Sequence, residues 1–437
     1  MIARTGTSRR ARALALCGRA LQAAGLWRQA GAAYEAALKR DNRPAEWRYR
    51  LGLSREHQGL FAEAAADYEQ ALARGNESEC AEAQAAIERV VHKSLAAGRR
   101  MTDAGESGSF EIAFLRAPSK SKNLASARIR CTYMAAAINQ NYGPSINAVV
   151  DRPDRASIIV ISQTCTARTL VACAMAKGGG ARIVYDCCDP YADYEGMAHG
   201  VNAAQRFSNI VSVADAITVP TETMRACVAD QAVSVPIVIV PDSIDYQEQV
   251  RSDLVPPTKS VVWFGNPGRG NLESGLWALE AMNQRWNFTV TLITDASKVD
   301  GLSEFSVEPW AYDDFIARLR KHGLVLVSQD PGANYKSENR YVVALINGIP
   351  AISTGSESIA TLLNGAGFAE MQVNDDAQLD RAIELLSDTE FRRDYVARMQ
   401  EIIRKQFGPS AVAKCFVEQV LIGTLGLPCD ALSLERS

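Results

Sequence analysis

Several common signatures are missing from this chain of 437 residues, and each omission removes a class of protein. Its ten cysteines include no Cys-x-x-Cys pair and no spacing typical of zinc ligands. Cys187 and Cys188 are adjacent, which disfavours a disulfide between them, so we expect a reducing, cytoplasmic setting. No apolar run approaches the ~20 residues that a membrane-spanning helix needs. The N-terminal segment is basic, but Arg19 interrupts its apolar positions, which fit a helical repeat better than a signal peptide.

Two familiar nucleotide-binding motifs are also absent. A predicted strand at 259–264 runs into a loop with Gly265, Gly268 and Gly270, but no Gly-Lys-Ser/Thr follows and the spacing is not Gly-x-Gly-x-x-Gly. A dehydrogenase or epimerase is therefore disfavoured. The backbone at these glycines can still approach a phosphate closely, and Arg269 can neutralise it. A plain surface turn is the alternative interpretation of this loop.

The net charge of −3 is unevenly distributed along the chain. Residues 1–55 hold twelve Lys and Arg against three Asp and Glu, a balance of +9 that leaves −12 for the remainder. Such a segment could dock on an anionic membrane or polymer. Solvated helix faces are the alternative, which we favour. We expect no nucleic-acid partner.

The N-terminal region contains an internal repeat. Residues 11–42 match residues 45–76 at an offset of 34 in small, aromatic and leucine positions, with Tyr34 paired to Tyr68. Both the period and the residue types are those of tetratricopeptide repeats. Two repeats bury little core, so we expect the helix predicted over 79–95 to cap them. The module either binds a protein partner or an acceptor, or it packs on the next domain or self-associates.

After a polar stretch at 96–109, which predicts a linker, strands and helices alternate. This alternation is typical of doubly wound sheets, which bind ligands beyond the carboxyl ends of their strands. Asp186 and Asp189 end one predicted strand and are candidate site carboxylates. His199, in the following loop, could supply an imidazole, although a structural or exposed role is more common for such a histidine.

The stretch from Tyr335 to Ala360 organises the second half of the chain. Four polar residues cluster where its helix is predicted to begin: Lys336, Ser337, Asn339 and Arg340. A helix N-terminus with added cations favours a phosphate or diphosphate. Gly348 is predicted to end the helix, and Pro350 prevents its continuation before a short strand.

The ordered succession of motifs over residues 110–425 resembles GT-B glycosyltransferases, particularly the retaining group of sucrose- and mannosyl-type enzymes. The motifs are Pro241-Asp242-Ser243-Ile244-Asp245, Gly348-Ile349-Pro350 and Gly355-Ser356-Glu357. The predicted fold is therefore α/β, with two Rossmann-like domains of the GT-B type after an all-α repeat module. The expected divisions are 1–95 for the repeats, 96–109 for the linker, 110–250 for the acceptor-side domain, 251–425 for the donor-side domain with a return helix, and 426–437 for a tail.

The resemblance implies transfer of a sugar from a nucleotide-diphosphate sugar, which is a substrate, to an acceptor hydroxyl, without a cofactor or a bound metal. Asp189 and His199 would be catalytic. The donor-binding residues would be Gly265, Asn266, Arg269, Asp295, Trp310, Lys336, Ser337, Asn339, Arg340 and Glu357. Trp310 or Tyr312 could form the wall of a nucleobase site, although we expect the Trp310 indole to pack in the core.

One departure from that group is clear. Many of its members carry two glutamates with seven residues between them, and the matching positions here are Tyr335 and Val343. The sugar and the stereochemistry therefore stay open. The resemblance suggests a role in envelope polysaccharide or glycolipid assembly, with a glycan or glycolipid acceptor and peripheral membrane contact through the basic N-terminus. The alternative is a non-catalytic scaffold that combines repeats with a degenerate transferase-like domain.

Overall fold

The computed structural model describes residues 8–98, 110–118, 124–189, 197–198, 201–231, 233–268, 270–295, 297, 299, 302, 304–330 and 335–428. The α-helices are α1 (Arg9–Ala23), α2 (Trp27–Leu38), α3 (Ala45–His57), α4 (Phe61–Leu72), α5 (Glu77–Ala97), α6 (Met134–Tyr142), α7 (Ala167–Gly178), α8 (Ala203–Val211), α9 (Glu222–Ala229), α10 (Glu273–Trp286), α11 (Phe315–Leu319), α12 (Asn339–Ile346), α13 (Glu357–Ala366), α14 (Asp376–Ser387), α15 (Thr389–Phe407) and α16 (Pro409–Cys415). The strands are β1 (Phe110–Leu115), β2 (Ile146–Val150), β3 (Ile158–Ser162), β4 (Arg182–Asp186), β5 (Met197–Ala198), β6 (Val201–Asn202), β7 (Ala216–Val219), β8 (Ile237–Ile239), β9 (Ser260–Phe264), β10 (Thr289–Thr294), β11 (Ser306–Pro309), β12 (Leu324–Ser328) and β13 (Ala351–Thr354).

Helices α1 to α5 form the N-terminal module that the repeat predicts. Tyr34 and Tyr68 are fully buried, each against a glycine of the preceding helix. A Cβ on Gly18 would lie 2.8 Å from the Tyr34 ring, and one on Gly52 would lie 2.7 Å from the Tyr68 ring. The small residues at these repeat positions therefore make room for the aromatic side chains that join each helix pair.

The last two helices of the module share a core with the following α/β domain. Apolar residues of α4, α5 and α7 belong to one continuous buried cluster, which reaches β3 and β4. A buried ion pair at 2.7 Å joins Glu69 of α4 to Arg206 of α8. The module thus packs on the next domain, which is one of the two uses open from the sequence.

Two parallel sheets follow, as the alternating pattern predicts. The first has the strand order β2-β1-β3-β4-β7-β8, and the second has the order β11-β10-β9-β12-β13. The interior strands β3 and β12 are buried along their whole length because helices cover both faces of each sheet. The predicted fold class, a helical module before two parallel-sheet α/β domains, is confirmed.

The chain crosses back to the first sheet at its end. Helix α16 continues into a π-helical segment, Phe416–Ile422, and both pack against α6 and β1. Val412, Phe416 and Val420 lie in the same buried cluster as Ile112 and Phe114. No helix in the described ranges is both long and apolar enough to cross a membrane.

Candidate functional site

The carboxyl ends of the two sheets meet at a short set of polar contacts. The Lys336 ammonium, just before α12, donates to the carboxylate of Asp189, which follows β4. Next to it, Ser337 Oγ donates to Asp242 at 2.5 Å, and Thr221 Oγ1 donates to the Tyr335 carbonyl at 3.1 Å. Two predicted site residues that lie 147 positions apart in sequence are therefore in direct contact.

The Lys336 pair is half-buried, with side-chain exposures of 32% for the lysine and 20% for Asp189. An ammonium has three N–H donors, and Asp189 accepts from one of them. Among the described residues no second carboxylate pairs with Lys336. An incoming anion would therefore share this lysine with Asp189 or displace the carboxylate.

Arg340 is a cation without a carboxylate partner in the described part of the chain. Its guanidinium donates to the carbonyls of Phe264 at 3.2 Å and Ser328 at 2.6 Å, where β9 and β12 end. Desolvation lowers its pKa to about 10. Gly265 lies directly against it with φ +142°, and a Cβ there would be 3.1 Å from Arg340 Nη1. The glycine therefore permits both the backbone turn and the close approach to the arginine.

Two helices begin beside these cations. Ser356 caps α13 by accepting from Ile359 N at 3.4 Å, and Ser358 Oγ donates to the Lys336 carbonyl at 3.0 Å. Asn339 opens α12, and its Oδ1 is buried without a hydrogen-bond partner among the described residues. Free N–H groups and the positive ends of two helix dipoles thus add to the charge of Lys336 and Arg340.

Sequence reasoning did not select Glu338, although it lies among four selected residues. Its carboxyl is partly buried beside Ser358 and Asp242, and desolvation raises its pKa to about 7. A glutamate at the start of a helix usually interacts with the helix dipole in solvent, so its type alone gave no signal. Only the packing of the two domains around it distinguishes this carboxyl from an exposed one.

Trp310 lies at the outer edge of the second sheet, and the expectation that its indole packs in the core was wrong. The side chain is 40% exposed because it follows β11, the edge strand, and is held through Nε1, which donates to Tyr246 Oη at 3.1 Å. Tyr312 makes further contacts between the domains. Its ring stacks on Tyr246 and lies 4.7 Å from the Arg128 guanidinium.

The other predicted donor-binding residues either make hydrogen bonds within their own loops, are exposed, or lie outside the described residues. Asn266 Oδ1 accepts from Gly268 N at 3.1 Å, and Asp295 Oδ1 accepts from Ser297 N at 3.1 Å. Glu357 is the exposed first residue of α13. Arg269 and His199 lie outside the described residues.

Asp186 is not a site carboxylate, contrary to the expectation from its place after β4. It is buried and paired with Arg130, and it also accepts from Thr218 Oγ1 at 2.8 Å. This pairing raises the pKa of Arg130. The same guanidinium reaches Asp242 at 3.1 Å, so the buried pair positions the carboxylate that holds Ser337.

With this geometry established, we compared the chain with known proteins. No protein-family model matches it, and no curated protein matches its sequence. Similar solved structures include a mutant of the Thermobaculum terrenum O-GlcNAc transferase, with 13% identity, a TM-score of 0.48, and coverage of 97% of this chain and 91% of that one. A second is S. aureus MnaA with UDP, with 11% identity, a TM-score of 0.42, and coverage of 73% of this chain and 98% of that one. A third is the spinosyn forosaminyltransferase SpnP, with 12% identity, a TM-score of 0.38, and coverage of 72% of this chain and 100% of that one. Identities and TM-scores this low do not indicate a function for this chain.

Proposed function

We propose that the protein is a glycosyltransferase that moves a sugar from a nucleotide-diphosphate sugar to an acceptor hydroxyl. The observation that carries this proposal is Arg340, a cation at the ends of β9 and β12 that no described carboxylate neutralises. Two helix N-termini and Lys336 lie beside it, so positive charge converges between the sheets. A diphosphate is the leaving group that such an arrangement stabilises best.

In this proposal the bond between the anomeric carbon and the β-phosphate oxygen breaks while the acceptor oxygen attacks that carbon. Lys336, Arg340 and the start of α13 stabilise the charge that develops on the diphosphate. The exposed Trp310 ring offers a stacking surface for the nucleobase. Asp189 lies on the acceptor side and accepts the proton of the hydroxyl, a role that His199 would share. The reaction needs no metal in this scheme.

The decisive experiment has two parts. Thermal unfolding is measured with uridine, guanosine, thymidine and cytidine diphosphate sugars, and a ligand at 100 times its dissociation constant should add about 2.7 kcal/mol. Transfer to glycan and glycolipid acceptors is then compared between the wild type and Lys336→Ala, which should lose roughly 10²- to 10³-fold in rate. Lys405→Ala, at an exposed position on α15, is the matched control and should leave transfer unchanged.

A second candidate function is supported by the ion pair that Lys336 already makes with Asp189. A non-catalytic protein would bind a nucleotide sugar and present its repeats to a partner without turnover. Stabilisation by a nucleotide sugar with no transfer to any acceptor would favour this scaffold. No stabilisation by any of the four nucleotides would overturn both proposals. An envelope role and peripheral membrane contact through residues 1–55 belong to the transferase proposal and are tested by binding to anionic vesicles.

A further inference from the structure

A second cleft lies at the amino ends of the strands of the second sheet, where β9, β10 and β12 begin. It has a volume of about 210 Å³ and opens beside Pro257 and Thr258. Its remaining lining includes Lys259, Phe288, Leu324, Ile383, Leu386 and Arg392. The length of the strands separates this cleft from the candidate site, and no residue of that site lines the cleft.

Arg392 is the unusual member of this lining. It is only 6% exposed, and its Nη2 donates to the carbonyls of Val255 at 3.0 Å, Gly323 at 3.2 Å and Pro256 at 3.4 Å. Its Nε is buried without a partner, and among the described residues no carboxylate pairs with the guanidinium. Desolvation lowers its pKa accordingly. A buried charge in this state is costly, and an anion placed against it would recover part of that cost.

The rest of the cleft favours an anion with an apolar body. Lys259 stands at the mouth, where its Nζ donates to the Trp286 carbonyl at 3.1 Å, and no acidic residue is part of the lining. Phe288, Ile383 and Leu386 are all nearly fully buried and supply an apolar floor. An engineered apolar cavity of about 150 Å³ holds benzene, so a ligand with one ring and one acid group fits this volume.

We propose that this cleft is a binding site for a small carboxylate with an apolar body, held by Arg392 and Lys259 through its acid group and by the floor through its body. The site would recognise charge and shape together. Inorganic phosphate has the charge without the body, and a neutral ring has the body without the charge. Either would bind more weakly than a carboxylate that has both.

The test is titration calorimetry of the whole chain at constant ionic strength with three probes. Sodium benzoate should bind saturably, at least tenfold tighter than benzamide, which has the same shape without charge, and at least tenfold tighter than sodium phosphate. Equal binding of benzamide would remove the role of Arg392, and equal binding of phosphate would remove that of the floor. Absence of saturable benzoate binding would overturn the proposal outright.

Variants place the binding in the cleft. Arg392→Gln should weaken benzoate binding at least tenfold, while Arg393→Gln, on the exposed side of the same helix, should leave it unchanged. Ser387→Trp, at the exposed rim, should block entry without touching the arginine, and it decides the matter if Arg392→Gln does not fold. Undiminished benzoate binding in Ser387→Trp, or in a folded Arg392→Gln, would contradict the assignment.

Discussion

Lys336 lies just before α12 and Arg340 lies in its first turn, yet their charges meet different partners. Among the described residues, the Arg340 guanidinium donates to carbonyl oxygens and lies over the Trp263 ring, whereas the Lys336 ammonium pairs with Asp189 from the other domain. In the proposed reaction a diphosphate that binds Lys336 competes with Asp189 for the same ammonium. Its arrival would release the Asp189 carboxylate, which then faces the acceptor side.

This competition predicts that Asp189→Asn changes binding and turnover in opposite directions. Removing the competing charge should tighten nucleoside diphosphate binding by up to about fivefold, since half-exposed pairs contribute roughly 0.2–1 kcal/mol. Transfer should fall because the proton acceptor is lost. Calorimetry with the diphosphate and a transfer assay measure the two effects. Weaker diphosphate binding in Asp189→Asn would show that the two do not compete.

Glu338 predicts a pH dependence of stability. Its pKa of about 7 lies above its ordinary value of 4.5 because burial disfavours the charged form. The native state therefore binds this proton more tightly than the unfolded chain. The stabilisation that the protonated carboxyl provides is complete below about pH 4.5 and decreases as the pH rises towards 7. Above about pH 7 it is lost, which lowers the free energy of unfolding by up to about 3 kcal/mol.

Glu338→Gln removes the titrating group and keeps its shape. We expect the variant to be more stable than the wild type at pH 8 and to differ little from it at pH 4.5, as measured by urea unfolding at both values. Glu357→Gln, which replaces the exposed carboxyl at the start of α13, is measured at both pH values for comparison. A constant difference between Glu338→Gln and the wild type at both pH values would exclude the titration.

At the scale of elements, features that depend on neighbouring residues were predictable from the sequence, whereas contacts between distant residues were not. The turn after α12 followed from Gly348, which has φ +74°, and from Pro350, which prevents the helix from continuing. The Lys336–Asp189 pair was not predictable, because Asp189 was chosen from a strand end and Lys336 from a helix start, and their contact depends on how the domains pack. Trp310 was misjudged because an edge strand looks like a central one in sequence.

Gly348 combines a local and a long-range requirement, so its substitution should be severe. Its φ is +74°, and a Cβ there would lie 2.0 Å from the Asp253 carbonyl oxygen. Gly348→Ala should lose roughly 3 kcal/mol of unfolding free energy through backbone strain and overpacking. Gly365→Ala on α13, where nothing lies within 4 Å, should instead gain about 0.5 kcal/mol. Urea unfolding compares the two, and a loss in both would deny the role of the contact.

At the scale of the whole molecule, contacts of several kinds join its parts. The repeat module shares a core with the first α/β domain, polar contacts link the two sheet ends, and α16 returns to the first sheet. The repeat period predicted the module but could not predict its partner surface, because the period reflects contacts inside the module. Ala83 and Val90 of α5 lie in the buried cluster that joins the module to α7, and apolar residues at these positions would suit a core inside the module equally well.

The shared core predicts that the module does not unfold alone. Arg206 is 8% exposed and pairs with Glu69 across the junction, so Glu69→Gln leaves a buried guanidinium without its carboxylate. We expect a loss of about 3 kcal/mol that appears in the unfolding of module and domain together. Glu63→Gln breaks an exposed pair with Arg168 at 3.7 Å across the same junction and should change stability by less than about 0.5 kcal/mol. Both are measured by hydrogen exchange followed against urea concentration, which gives one signal from the helices of the module and one from the first α/β domain. Separate transitions for the two signals, with only the module affected by Glu69→Gln, would show that the junction does not couple the two parts.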